Sequence, residues 1–299
     1  MPLSLDFAFE GFRIVREKPK LILFWGLVLL IGGGLMQLLL VAIAGPDMDR
    51  FQALMQAQDP NAITNFMQRA SPAVTTAFLA MLPIELLMGA VLSCAVFRAV
   101  WGEKDDRFGY LRFGADEWRQ IAVLVLLMCL CFAMVLAVTV VAAVLGSMVG
   151  NNAGAVFAAL AILVFGILFV LFVLLRLSLC AVQSFDRKTI DIFGSWKLTA
   201  KHTWALLGGY LVAGIMAVLV YTLCAGIFGA LIVIVNAGQL SSVEHAPDMT
   251  SLQAYLTPKT IASIVFVNLV IAPLITALRI GAQAAAYRTL AGHTPDPGV

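Results

Sequence analysis

The sequence predicts an all-α, polytopic membrane protein: six transmembrane helices, with amphipathic interfacial helices on the cytoplasmic face. Three observations predict it. The run Gln120–Leu175 holds 56 residues without a Lys, Arg, Asp, Glu or His, whereas a soluble surface needs charge to stay solvated. The chain is 62% hydrophobic and 12% charged with a mean hydropathy of +0.98, against about 45–50% and 25% in soluble domains. Finally, the basic residues cluster between alternate apolar runs.

A bilayer core of about 30 Å takes roughly 20 apolar residues at about 1.5 Å each. The charge-free run therefore fits two crossings joined by the turn Gly150-Asn151-Asn152-Ala153-Gly154. In chain order the spans are about 21–43, ending at Gly45-Pro46-Asp47; 73–100, carrying Pro83 and Glu85; 121–145; 155–182; 204–235; and 260–287. Residues 1–299 read as a single integral membrane domain. Sixteen of the nineteen Lys and Arg residues fall on one side, leaving Arg50, Arg69 and Lys259 for the other. By the positive-inside rule both termini are cytoplasmic. Ala42-Ile43-Ala44 resembles a small-residue cleavage site, but the apolar run before it exceeds an ordinary signal peptide's 7–15 residues, so a retained first span is expected.

Three spans are approached through similar segments. Aromatics stand at Phe12, Tyr110 and Trp196, and Lys20, Trp118 and Trp204 follow eight residues later, where amphipathic side chains suit the headgroup level. The expectation is a thrice-repeated helix, about 4–17, 104–117 and 187–200, lying flat in the cytoplasmic headgroup layer. Its basic faces would attract anionic lipid most at Arg13–Lys20 and Arg187–Lys201.

The residues that carry chemistry are few. Five cysteines lie in apolar stretches without metal or redox spacing. His202, His245 and His293 sit on separate segments without a second ligand. Protease and phosphate-loop motifs are absent, so no catalytic residue, metal or cofactor is expected, and the net charge of +2 gives no reason to expect nucleic acid. Glu85 and Arg279 are the intramembrane charges, and an ionisable residue at such depth is by default a functional hypothesis. The competing reading is a structural pair, with Glu85 and Arg279 facing the bundle interior within reach of each other. Asn268 and Pro273 mark an irregular point in the last span.

The stretch Arg176-Leu-Ser-Leu-Cys, then Ser195-Trp196-Lys-Leu198-Thr199, then Trp204, and the ending Ala-Tyr287-Arg288-Thr-Leu resemble a signature of YciC-like bacterial inner-membrane proteins and of the membrane domain of glycerophosphodiester phosphodiesterases. The match departs at Ala181-Val-Gln183, where those sequences often carry Pro and an acid. No phosphodiesterase segment follows Arg288, so the resemblance implies a fold and an inner-membrane location and transfers no catalytic residue. The expected role is lipid- or envelope-associated and non-enzymatic, with membrane lipid as partner. Two alternatives stand beside it: a secondary transporter or lipid flippase using Glu85 and Arg279, and a scaffold or assembly factor for partner membrane proteins. An exposed small-residue face at Gly209, Ala213 and Ala217 would favour the scaffold.

Overall fold

A computed structural model describes residues 5–58, 60–69, 71–104, 107–149, 153–235 and 247–292. Among these the elements are helical, and six helical runs are long and apolar enough to cross a membrane. This is a multi-pass membrane protein. A 3-10 turn at Leu5–Phe9 leads into α1 (Glu10–Glu17), followed by α2 (Lys20–Ala57), α3 (Pro60–Gln68) and α4 (Pro72–Trp101). Next come α5 (Ala115–Val149), α6 (Ala153–Leu177), α7 (Cys180–Arg187), α8 (Gly194–Thr199) and α9 (Thr203–Val235). The chain closes with α10 (Leu252–Tyr255), α11 (Pro258–Phe266), a π turn at Val267–Ile271 and α12 (Ala272–Leu290).

The core sits at one end of the bundle. Leu92–Val100 of α4 is buried on every side, and α12 is buried almost continuously from Ala277 to Tyr287. By contrast, α5 has no buried residue described beyond Val123, α6 none before Val170, and α9 none beyond Ala213. The apolar side chains on those outer stretches, such as Phe132, Phe165 and Leu223, are exposed, as expected where lipid rather than protein is the solvent. Call the buried end the inner end. The N-terminal turn, the end of α4, α7 and the end of α12 all meet there.

Several sequence expectations need correction. The first span does not stop at Gly45-Pro46; α2 continues through Pro46 to Ala57. A proline removes one helical hydrogen bond, and here the loss is offset by packing. The Gly45 backbone lies against the Met249 carbonyl, and Asp49 accepts from the Met249 amide at 3.4 Å. The fourth span ends at Leu177 rather than near 182, and the chain restarts as α7. Of the turn expected between spans three and four, Gly150–Gly154, residues 150–152 lie outside the described residues, and Ala153 and Gly154 already belong to α6.

The three equivalent flat helices do not form. The first, 4–17, whose Ser4 lies outside the described residues, is drawn into the bundle: Phe7, Ala8, Glu10, Gly11 and Ile14 are buried. It crosses α12 where Gly11 faces Ala277, Leu278 and Gly281, so closely that a Cβ on Gly11 would strike the Ala277 carbonyl. Two glycines permit that approach. In the second, 104–117, the described residues hold no α-helix before Ala115. Arg107–Tyr110 is a tight turn in which Phe108, Gly109 and Tyr110 take positive φ of 51°, 68° and 63°. Gly109 adopts that region freely, whereas the two flanking residues carry strain. Buried contacts hold them: Trp25 Nε1 donates to the Gly109 carbonyl at 2.8 Å, and Lys18 Nζ donates to the Tyr110 hydroxyl at 2.6 Å. The third, 187–200, is replaced by α7 ahead of it and the short α8 within it. The aromatic spacing was real, but burial of Tyr110 took it out of the interface. Lys20, Trp118 and Trp204 are all exposed, consistent with the level assigned to them.

Candidate functional site

The inner end is held by charges, each with a partner. Arg98, buried near the end of α4, donates to Glu117 Oε1 at 2.6 Å and to the Tyr110 carbonyl at 3.2 Å, and lies 5.6 Å from the Phe185 ring centre. Glu117 is itself buried and accepts from the Gly114 amide at 2.9 Å through its other oxygen. Asp116 adds a third charge 3.6 Å from Arg98. Such a pair in low dielectric is stable only with its hydrogen bonds complete, and this one ties α4 to the start of α5.

Arg176, Ser195, Trp196 and Thr199 form a second knot. Arg176 closes α6, and its carbonyl accepts from both Ser195 Oγ (2.9 Å) and Thr199 Oγ1 (3.1 Å). Its guanidinium donates to the Trp196 carbonyl at 2.7 Å and to Thr203 Oγ1 at 3.2 Å, with the Trp196 ring centre 4.7 Å away. One arginine thus binds the end of α6, all of α8 and the start of α9, while Leu198 packs on the core. Trp204 takes no part in the knot and is 84% exposed. At the other end of the signature, the Tyr287 hydroxyl donates to Asp186 at 2.9 Å, joining α12 to α7. Arg288 donates to the Val100 carbonyl at 2.8 Å and lies 3.8 Å from Glu10. These residues are brought together as structural ties.

Glu85 and Arg279 are not brought together. Both are exposed, and among the described residues neither makes an ion pair or hydrogen bond. The expected interior pair is therefore corrected, for a geometric reason. Arg288 is tied to Val100, so heights can be read from there. Glu85 stands fifteen residues above Val100, about 22 Å, and Arg279 nine above Arg288, about 13 Å. At the height of Glu85, α4 has left the buried core, and from Pro72 to Gly89 only Ala77 is buried.

Three recesses open around these elements. Between α2 and α4 lies an apolar cleft of about 550 Å³, lined by Val28, Ile31, Gly32, Leu35, Leu87 and Met88 among others, with Phe113 at its inner end. Ile31, Leu35 and Leu87 are exposed, so the cleft opens sideways. Between α9 and α12 a cavity of about 360 Å³ is lined by Tyr210, Ala213, Gly214, Ala217, Arg279 and Gln283. At the outer end a recess of about 350 Å³ lies between α2 and α10–α11, its wall mostly apolar but carrying the polar side chains Gln37, Asp248, Tyr255, Thr260 and Ser263. There the Tyr255 hydroxyl donates to Gln37 at 2.8 Å, and burial pushes its phenol above the ordinary range. The Thr250 hydroxyl and amide both donate to Asp248 and hold its carboxyl below the usual range. Asn268, in the π turn, packs against Gly33 just inward of this recess. The hint of an irregular point at Asn268 and Pro273 was correct in position, while Gln37 and Tyr255 gave no signal of their own.

The small-residue face of α9 is divided. Gly209 and Ala213 are buried, with Phe7 of the N-terminal turn against Gly209, so the continuous exposed stripe that would favour a scaffold is absent there. Among the described residues no three His, Cys, Asp or Glu side chains are placed to hold a metal. Cys94 and Cys180 are buried, whereas Cys129 is exposed. No family model, curated protein or solved structure matches this chain.

Proposed function

We propose that this is a bacterial inner-membrane protein, both termini cytoplasmic, with a lipid- or envelope-associated and non-enzymatic role, as the YciC-like resemblance implies. The observation that carries the reading is the α2–α4 cleft. Its wall exposes only apolar atoms, it opens toward the lipid side, and its size falls within the 300–1,000 Å³ typical of ligand-holding pockets. An acyl chain is the apolar ligand such a site meets in a bilayer. The ties at the inner end support the same reading, because the outer halves of α5, α6 and α9 bury no described residue and present exposed apolar side chains.

The test is native mass spectrometry of the purified protein with its retained lipids. Wild-type protein should keep lipid adducts through mild activation, and Leu87→Trp, which fills the cleft, should strip them. If wild-type protein retains no lipid, the role is not lipid-associated. Orientation is tested separately by single cysteines labelled from outside intact cells, in a background lacking the native thiols. Positions 58 and 247 should react, and position 188 should not. Labelling at 188 would reverse the topology.

The transporter reading has one observation in its favour, the group of polar side chains at the recess beside the π turn, since π turns recur at functional sites. Glu85 and Arg279 do not line that recess. If this alternative holds, Gln37 and Asn268 are its residues.

A further inference from the structure

We infer that the α9–α12 cavity is a phosphate site for an anionic lipid headgroup, with Arg279 as its principal ligand. This rests on the lipid-associated reading above and adds a headgroup to the acyl chain. A guanidinium at membrane depth normally faces a partner, a water-filled cavity or backbone carbonyls. Arg279 has no protein partner among the described residues and, though exposed, it lines this cavity. Gln283, one helical turn toward the inner end, lines the same space without a hydrogen bond of its own among the described residues. Two unengaged donor groups facing one cavity match a phosphoryl oxygen pair, which Arg binds bidentately.

The surroundings choose the source of that phosphate. On the inner side the N-terminal turn blocks the way, with Phe7 against Gly209 and edge-on to Tyr210 at 6.1 Å, and Leu5 beside Gly208. The Tyr210 hydroxyl is engaged with Ser178 at 3.0 Å, closing the same floor. The flanks of α9, including Leu211, Ile215 and Val218, are exposed apolar side chains. An anion dissolved in water would have to cross hydrocarbon to reach Arg279 from that side, whereas a lipid arrives by lateral diffusion. At about 13 Å above Arg288, Arg279 lies in the inner half of its span. Basic pockets between transmembrane helices on the cytoplasmic side bind such headgroups. Small residues on α9 keep the space clear: a Cβ on Gly214 would meet nothing within 4 Å.

The experiment compares phosphatidylglycerol with phosphatidylethanolamine adducts on the full chain by native mass spectrometry in mixed micelles. Wild-type protein should prefer phosphatidylglycerol, and Arg279→Gln should lower that preference roughly tenfold or more, the worth of a charge-assisted hydrogen bond. Arg279→Lys should keep part of it. Gly214→Phe, which fills the cavity and leaves the arginine in place, should lose as much as Arg279→Gln, which guards against a folding defect in either variant. Leu87→Trp should reduce both lipids without changing their ratio. If Arg279→Gln and Gly214→Phe leave the ratio unchanged while Leu87→Trp strips lipid, the headgroup site is wrong and the lipid-associated role stands. Wild-type protein without a preference also overturns the site. Displacement of phosphatidylglycerol by excess inorganic phosphate would show a bare-anion site and overturn the lipid as its occupant.

Discussion

The inner end of the bundle and its outer half treat charge in opposite ways. Inside, Arg98 meets Glu117, Arg176 meets a carbonyl, a hydroxyl and an indole, and Arg288 meets a carbonyl and Glu10. Further out, Glu85 and Arg279 meet no protein group among the described residues. The same residue types are therefore structural in one region and unengaged in the other. A partnered buried charge is destabilising to break; an unpartnered one is available to a ligand, a lipid or a proton. Stability and any binding function should accordingly respond to different mutations.

The largest expected effect is at the buried pair. Glu117→Gln leaves Arg98 without its counter-charge and should destabilise the protein by about 3–5 kcal/mol. Thermal unfolding in detergent would show it as a sharply lowered midpoint and reduced abundance. The double change Arg98→Met with Glu117→Leu should recover most of the loss, because apolar replacement of a buried pair is often neutral. A Glu117→Gln protein as stable as wild type would mean that the inner end does not depend on its ion pair.

The next effect is at the Arg176 knot. Thr199→Val removes the hydroxyl that donates to the Arg176 carbonyl while keeping the side-chain shape. The loss should be about 1–2 kcal/mol, one buried hydrogen bond with its remaining partner partly served by Ser195. Ser195→Ala with Thr199→Val should exceed the sum of the single changes, since only together do they orphan that carbonyl. Strict additivity would show that the two hydroxyls do not share one acceptor.

How much of this was legible in the sequence differs between the same two regions. The spans were readable because lipid imposes a length and forbids charge, and Gln120–Leu175 satisfies both. Arg176, Ser195, Trp196 and Thr199 were readable as a group only through a resemblance, and the structure supplies the reason they belong together. The Arg98–Glu117 pair gave no signal, because charges near an interface normally stand in water, and here the turn at Phe108–Tyr110 and Phe185 of α7 pack against the buried Arg98. The flat helices were misjudged for a related reason. Aromatic and basic spacing reports amphipathicity but not what covers the apolar face, and for residues 5–17 that cover is α9 and α12. Pro46 misled through a propensity that packing against Met249 overrides.

The smallest expected effect is the most discriminating for the outer half. Were Glu85 and Arg279 coupled, neutralising one would strand the other, and a double-mutant cycle would register it. With about 22 Å and about 13 Å of helix separating them from the Val100–Arg288 tie, and both exposed, their changes should add within about 0.5 kcal/mol. Glu85→Gln alone should leave unfolding unchanged or slightly improved, because it removes a carboxyl from hydrocarbon without orphaning a base. Arg279→Gln should be equally mild on the delipidated protein. It should become more costly when phosphatidylglycerol is present, because a ligand that binds only the folded state raises its stability by mass action. That dependence on added lipid is what separates an arginine reserved for a ligand from one that merely tolerates the membrane. A coupling energy well above 0.5 kcal/mol in the lipid-free cycle would restore the pair and take Arg279 out of the cavity.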